Sequence, residues 1–229
     1  RALSAIADHA VTVTTAGRTD AGVHAFQQVI HFDSPASRTP YAWMLGCNSQ
    51  LGPDIALRWV QAVVPDFHAR YSARARSYRY VFLCSSARSA LTRGRAAWHP
   101  QTLDAAAMHR AAQALVGEHD FSAFRDSQCQ APSPKRNLHR IEVRASAEFV
   151  VVDVTANAFL HHMVRNIAGS LLLVGQGKHP ESWIESVLKG RKRSEAGITA
   201  DPAGLYFVGP QYPAEFALPP PPLPWFPLL

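Results

Sequence analysis

At 229 residues, 47% of them hydrophobic, the chain can build one large or two small domains with real cores, which excludes a disordered or fibrous protein. Its 23 Lys and Arg against 17 Asp and Glu leave a net charge of +6, which points to a polyanionic partner and away from a basic one. Cys47, Cys84 and Cys129 lie far apart without a C-x-x-C pair, so neither a zinc framework nor a disulfide framework is suggested and a reducing, cytoplasmic setting follows.

Arginine dominates the positive charge, since lysine occurs only at Lys135, Lys178, Lys189 and Lys192. Planar, bidentate Arg suits phosphates and stacked bases, although a GC-rich genome produces the same bias. No apolar run reaches the roughly 20 residues of a membrane span, and no signal sequence opens the chain.

The first residues, R-A-L-S-A-I-A-D-H, read as the second half of an amphipathic helix with Leu3, Ile6 and Ala7 on one side and no cap before it. A strand over Val11 to Thr15, a glycine-bounded turn and a strand from Phe26 follow, which sets Asp20 on a tight connection between two strands. A helix over Tyr41 to Gln50 and a strand over Ile55 to Val63 complete this βαβ-rich third.

From Tyr71 to Cys84 a long alternating strand puts Arg74, Arg76, Tyr78 and Tyr80 on one face. Such a basic and aromatic strip suits an RNA surface; the spacing fits a solvated strand face with tyrosines at a sheet edge equally well. Leu103, Ala107, Ala111 and Leu115 predict a helix over Leu103 to Val116, stopped at Gly117. Strands over Leu138 to Arg144 and Phe149 to Ala156 come next, the second apolar enough for a central position. Helices over about Leu160 to Gly175 and Pro180 to Leu188 and a short strand over Leu205 to Val208 follow. Strands and helices interleave without strict alternation, so the fold class is α+β with a largely antiparallel sheet. The tail L-P-P-P-P-L-P-W-F-P-L-L holds neither helix nor ladder, and Trp225 and Phe226 would pack it along the surface.

Few residues have the pattern of a reactive centre. Gly17 and Gly22 have the spacing of a phosphate loop, but Val23 and His24 stand where Lys and Ser or Thr are required. There is no G-x-S-x-G, and the turn offers Asp20 alone where a glycosidase needs two carboxylates. His161 and His162, as neighbours on a helix, would point about 100° apart and share an ion poorly, so no metal is expected. Arg165 is the one obligate charge in an otherwise apolar helical segment. It should reach a carboxylate, with Asp20 a candidate, or else snorkel to water.

The motifs G-R-T-D-A-G-V-H-A, D-F-H-A-R-Y-S-A-R at Asp66 to Arg74, S-Y-R-Y at Ser77 to Tyr80, D-F-S-A-F-R at Asp120 to Arg125 and N-A-F-L-H-H-M-V-R-N at Asn157 to Asn166 closely resemble the TruA-type tRNA pseudouridine synthases. The likeness runs in order from the first helix to about Pro213. It implies isomerisation of uridine to pseudouridine at positions 38 to 40 of the tRNA anticodon stem-loop, without cofactor or metal. It further implies a homodimer and two ferredoxin-like or RRM-like α+β subdomains whose largely antiparallel sheets join across a basic cleft. On this chain the subdomains would be 1–72, carrying the catalytic turn, and 73–210, followed by the proline-rich tail 211–229.

The same resemblance puts the catalytic aspartate on Asp20, its neighbouring arginine on Arg18, the active-site tyrosine on Tyr78 and the aspartate's arginine partner on Arg165. Arg74 and Arg76 are the candidate RNA contacts. The family's N-terminal strand with a tyrosine-aspartate-glycine segment and its G-W-Q element are not among these residues. Two other readings stay open: a pure RNA-binding module, which a carboxylate at such a turn disfavours by repelling phosphate, and an inactive or truncated protein of the same fold.

Overall fold

The computed structural model describes residues 1–222, so the expected anchors Trp225 and Phe226 lie outside the described residues. In chain order the elements are α1 (Ala2–Ala7), β1 (Thr14–Thr15), β2 (His24–Ala25), β3 (Ile30–His31), α2 (Pro40–Gln50), β4 (Ala75–Cys84), β5 (Ala97–His99), α3 (Ala105–Ala112), β6 (Gly117–Asp120), β7 (Lys135–Ser146), β8 (Phe149–Ala156), α4 (Met163–Gly175), α5 (Trp183–Gly190) and β9 (Leu205–Gln211). Contacts divide the described residues into two units, one of residues 1–18, 29–73 and 212–220, the other built on residues 19–28 and 74–211.

In the first unit α1 and α2 close a small core around Ala7, Trp43 and Cys47, onto which Leu3 and Ile6 pack as their spacing requires. Thr39 caps α2 by accepting from the Ala42 amide, and Pro40 opens it. The expected strands are much shorter here: only Thr14–Thr15 pairs with Ile30–His31. The expected strand Ile55 to Val63 does not form. Asn48 of α2 substitutes for a ladder partner, donating to the Leu57 carbonyl and accepting from its amide, while Leu57, Val60 and Trp59 pack into the two cores of this unit.

The second unit is a seven-stranded, mostly antiparallel sheet in the order β2-β9-β4-β8-β7-β6, with β5 alongside β4. The β2–β9 and β4–β5 pairs are parallel. β8 sits between β4 and β7, as its apolar run demands. Tyr80, Phe82, Val150, Val152 and Val154 on one face meet α3, α4 and α5 in the main core. Fully burying each such aliphatic or aromatic side chain contributes roughly 1.5–3 kcal/mol. On the opposite face Val81, Val151 and Tyr206 cluster, and Arg79 forks onto Asp153 at 2.7 and 2.9 Å.

This face assignment corrects the expected basic and aromatic strip. Tyr80 is fully buried, donating to the Asp201 carbonyl, and Tyr78 is half-buried between Phe159 and Phe207. Large rings on that side of β4 are worth more under the helices than in water. Leu103, Ala107, Ala111 and Leu115 are all buried under the predicted helix, which ends in a 3-10 turn over Gln113–Leu115. Among the described residues no helix is long and apolar enough to cross a membrane.

Candidate active site

The turn holding Asp20 is built by its backbone. The Val23 amide donates to the Asp20 carbonyl at 3.1 Å, and Gly22 follows at φ 82°, where a β-carbon would be strained and would press within 3.3 Å of Pro202. The chain then enters β2, whose His24 and Ala25 pair with Tyr206 and Phe207 of β9. The flanking strands β1 and β2 belong to different sheets, so the turn is a crossover and not a hairpin.

Arg165 comes to Asp20 from the first turn of α4. Its side chain is 12% exposed, its Nη1 donates to Asp20 Oδ2 at 2.8 Å, and its Nε donates to the Ala200 carbonyl at 2.8 Å. The carboxylate partner expected for this buried guanidinium is therefore Asp20, 145 positions away in sequence. The Ala200 amide in turn donates to the Arg165 carbonyl, so the 197–200 segment grips α4 at this residue.

His161 and His162 overturn the premise that helical neighbours must diverge. α4 starts only at Met163, because His162 is left-handed at φ 59° and ψ 4°. Outside the helix the two rings stack at 3.9 Å. Their Nε2 atoms both face Asp20, at 3.5 Å from Oδ1 for His161 and 3.1 Å from Oδ2 for His162. Their Nδ1 atoms both face Asp126, at 3.4 and 2.8 Å. Asp126 is held below the usual carboxylate range chiefly by the Gln128 amide, with burial opposing it and His162 and His161 adding to the depression. Among the described residues, Asp20, His161 and His162 each place one possible ligand atom within 4.8 Å of the others, although the stacked rings aim their Nε2 atoms along nearly parallel directions.

Burial pushes the Tyr78 hydroxyl up to about 12, with the Asp20 charge adding to the rise and Arg76 opposing it, so Tyr78 is neutral at physiological pH. Arg76 is half-buried and donates to the Asn157 carbonyl, Arg74 is exposed at the start of β4, and Arg18 is exposed in the other unit. Sequence reasoning did not find Asp126, although it directly follows the D-F-S-A-F-R motif. Nor did it find the buried network in which Asn166 donates to the Phe124 carbonyl and accepts from Arg193 and Thr199. No local pattern marks these partners; only the fold brings them together.

Fold and site together define an α+β protein with an ion-paired carboxylate on a crossover turn. A family model described as tRNA pseudouridine synthase matches residues 111–213. The protein named tRNA pseudouridine synthase A of Xanthomonas oryzae pv. oryzae (strain PXO99A) is 59% identical over 218 residues, covering 95% of this chain and 85% of its own. The protein of that name from Aeromonas hydrophila subsp. hydrophila is 55% identical over 223 residues, 97% of this chain and 83% of its own. The chain belongs to the tRNA pseudouridine synthase family, whose members are isomerases.

Proposed function

We propose that Asp20 is the catalytic carboxylate with which this chain converts uridine to pseudouridine in the anticodon stem-loop of tRNA, at positions 38 to 40. The observation that supports it best is the 2.8 Å pairing of Asp20 Oδ2 with the buried Arg165, which fixes one carboxylate oxygen and orients the other. Arg165 takes Oδ2, and among the described residues Oδ1 meets His161 Nε2 at the longer distance of 3.5 Å, so Oδ1 is the oxygen left to react.

The reaction breaks the N1–C1′ bond, turns the uracil and joins C5 to C1′, while one proton leaves C5 and one is gained at N1. Nothing is oxidised or reduced and no atom is added, so a positioned carboxylate suffices, whether it attacks the sugar, adds to the base or removes a sugar proton. The uridine must leave its stack, at a cost of a few kcal/mol. Tyr78, neutral and held by Phe159 and Phe207, is the surface for the uracil to stack against. Arg18, two positions before Asp20, fills the vacated place in the RNA, and Arg74 and Arg76 hold phosphates across a basic cleft. The working unit is a homodimer in the cytoplasm.

Asp20→Asn in the full-length enzyme tests the central assignment. Asparagine keeps the size of the side chain and an oxygen for Arg165 but is neither an anionic nucleophile nor a base. Pseudouridine formation, followed by tritium release from labelled tRNA, should fall to background, while tRNA binding at matched salt and the circular dichroism spectrum are retained. A folded, tRNA-binding variant that still turns over at an appreciable rate would sink the role given to Asp20.

A further inference from the structure

We propose that the connection between β4 and β5, residues 85–96, is a further RNA-binding element in which Arg88, Arg93 and Arg95 hold backbone phosphates of the tRNA beside the target uridine, and that His24 docks this element onto the turn carrying Asp20. The choice of RNA as the partner rests on the function proposed above; the docking by His24 does not.

The sequence from 67 to 103 contains no Asp or Glu, and the arginines within it divide into two kinds. Arg79 is forked onto Asp153, and Arg76 donates to the Asn157 carbonyl. Arg88, Arg93 and Arg95 are exposed, and among the described residues none of their guanidinium groups has an ion pair or a hydrogen bond. A guanidinium so placed keeps its five donors for a ligand. Its planar fork fits a phosphate, and no neighbouring acid in the loop cancels the charge.

The loop is held in shape before any ligand arrives. The Ser85 amide donates to the His99 carbonyl at 3.0 Å and Trp98 Nε1 donates to the Ser85 carbonyl at 2.8 Å, which closes its base. The Thr92 amide donates to Ser89 Oγ at 3.3 Å and the Arg95 amide to the Thr92 carbonyl at 2.9 Å, which folds its middle. Leu91 is 90% exposed, so the crest stands clear of the sheet. A loop already ordered has less freedom to lose when it binds.

Two rings fix the loop to the catalytic side. His24 Nε2 donates to the Gly94 carbonyl at 2.7 Å, the Tyr206 hydroxyl donates to the Arg95 carbonyl at 2.5 Å, and the rings stack with centroids 4.7 Å apart. A carbonyl only accepts, so Nε2 is the protonated nitrogen of His24. His24 follows Asp20 by four residues, at most roughly 14 Å of extended chain. The loop therefore lies within about one turn of duplex, roughly 34 Å, of the carboxylate, close enough to grip the stem whose uridine Asp20 reaches.

The test is fluorescence anisotropy of labelled tRNA with the full-length enzyme over a series of salt concentrations, with steady-state kinetics alongside. The triple replacement Arg88→Gln, Arg93→Gln, Arg95→Gln should weaken binding at least about 10-fold and raise KM by a like factor. It should also make the slope of log association constant against log salt shallower by about 2 to 3, whereas replacing the same three arginines by lysine should keep most of the slope. His24→Phe keeps a ring on Tyr206 and removes the donor to Gly94. It should weaken binding about 3-fold or more in the parent and have little effect in the glutamine variant, where the docked cations are gone. A glutamine variant with parental slope and affinity would overturn the RNA contact, and equal losses from His24→Phe in both backgrounds would overturn the docking. If Asp20→Asn abolished turnover while the glutamine variant bound tRNA as the parent does, the loop alone would be misassigned. If Asp20→Asn still turned over while the glutamine variant lost tRNA, the catalytic assignment alone would fail.

Discussion

At the scale of single residues, the site is a chain of charges in which each group has a second task. Arg165 pairs with Asp20 and also satisfies the Ala200 carbonyl. Arg165→Met should therefore cost about 1–3 kcal/mol of stability, less than for a fully buried pair because the Asp20 side chain is 29% exposed. It should also cost about 100-fold or more in turnover, since the anion loses the donor that orients it. Urea unfolding and tritium release measure the two losses, and a variant as stable and as active as the parent would show that the pair does neither. Asp126 gives a pH signature. The Gln128 amide and the two histidines depress its pKa in the folded protein below the ordinary 3.8. A depressed carboxylate contributes stability that is complete above its unfolded pKa and is lost as the pH falls through the folded one. The melting-temperature gap between the parent and Asp126→Asn should thus be open at pH 7 and narrow as the pH drops below about 4. A gap constant with pH would mean that the charge of Asp126 contributes nothing.

At the scale of elements, the second unit was far more legible in the sequence than the first. β8 runs over Phe149–Ala156, the span its almost continuous apolar run predicts, and α3 with the residues flanking it buries the four positions spaced by fours. Both elements are buried, so a strong periodic pattern selects one structure. In the first unit the pattern over Ile55 to Val63 is satisfied by Asn48 and by scattered apolar anchors, a solution that no period of 2.0 or 3.6 describes. The Asp20 to Arg165 pair was legible because a charge in an apolar helix must find a partner, whereas the His161 and His162 stack was not, because one left-handed residue moved the helix start. Gly169 was equally silent in sequence. A β-carbon there would sit 1.8 Å from the Ile198 carbonyl oxygen, and backbone cannot yield as a flexible side chain would. Gly169→Ala should push the 197–200 segment off α4 and carry the Ala200 carbonyl away from Arg165, at a cost of about 1–3 kcal/mol or more. The loss of activity should exceed the fraction unfolded at the assay temperature. Wild-type turnover per folded molecule would disprove that this crossing positions Arg165.

At the scale of the whole molecule, the net charge of +6 does not show which cations are available to RNA. Several arginines are already committed to carboxylates: Arg79 and Arg144 to Asp153, Arg110 to Glu181 and Arg140 to Glu142. A cation bound to its own carboxylate has little left with which to displace counterions from a phosphate, so the salt dependence of tRNA binding should reflect a subset of the arginines. Arg74, exposed at the head of β4, belongs to that subset in the reading proposed above. The logarithm of the tRNA association constant should fall linearly with the logarithm of salt concentration, and Arg74→Ala should make that slope shallower by about 1 while weakening all tRNAs alike. The paired replacement Arg110→Ala, Glu181→Ala removes a cation with its anion, preserves the net charge and should leave the slope where it was. Fluorescence anisotropy of a labelled anticodon stem-loop at four or five salt concentrations separates these outcomes. If both variants lowered the slope equally, binding would follow the number of arginines and not their pairing; if Arg74→Ala left it unchanged, the head of β4 would lie outside the RNA path.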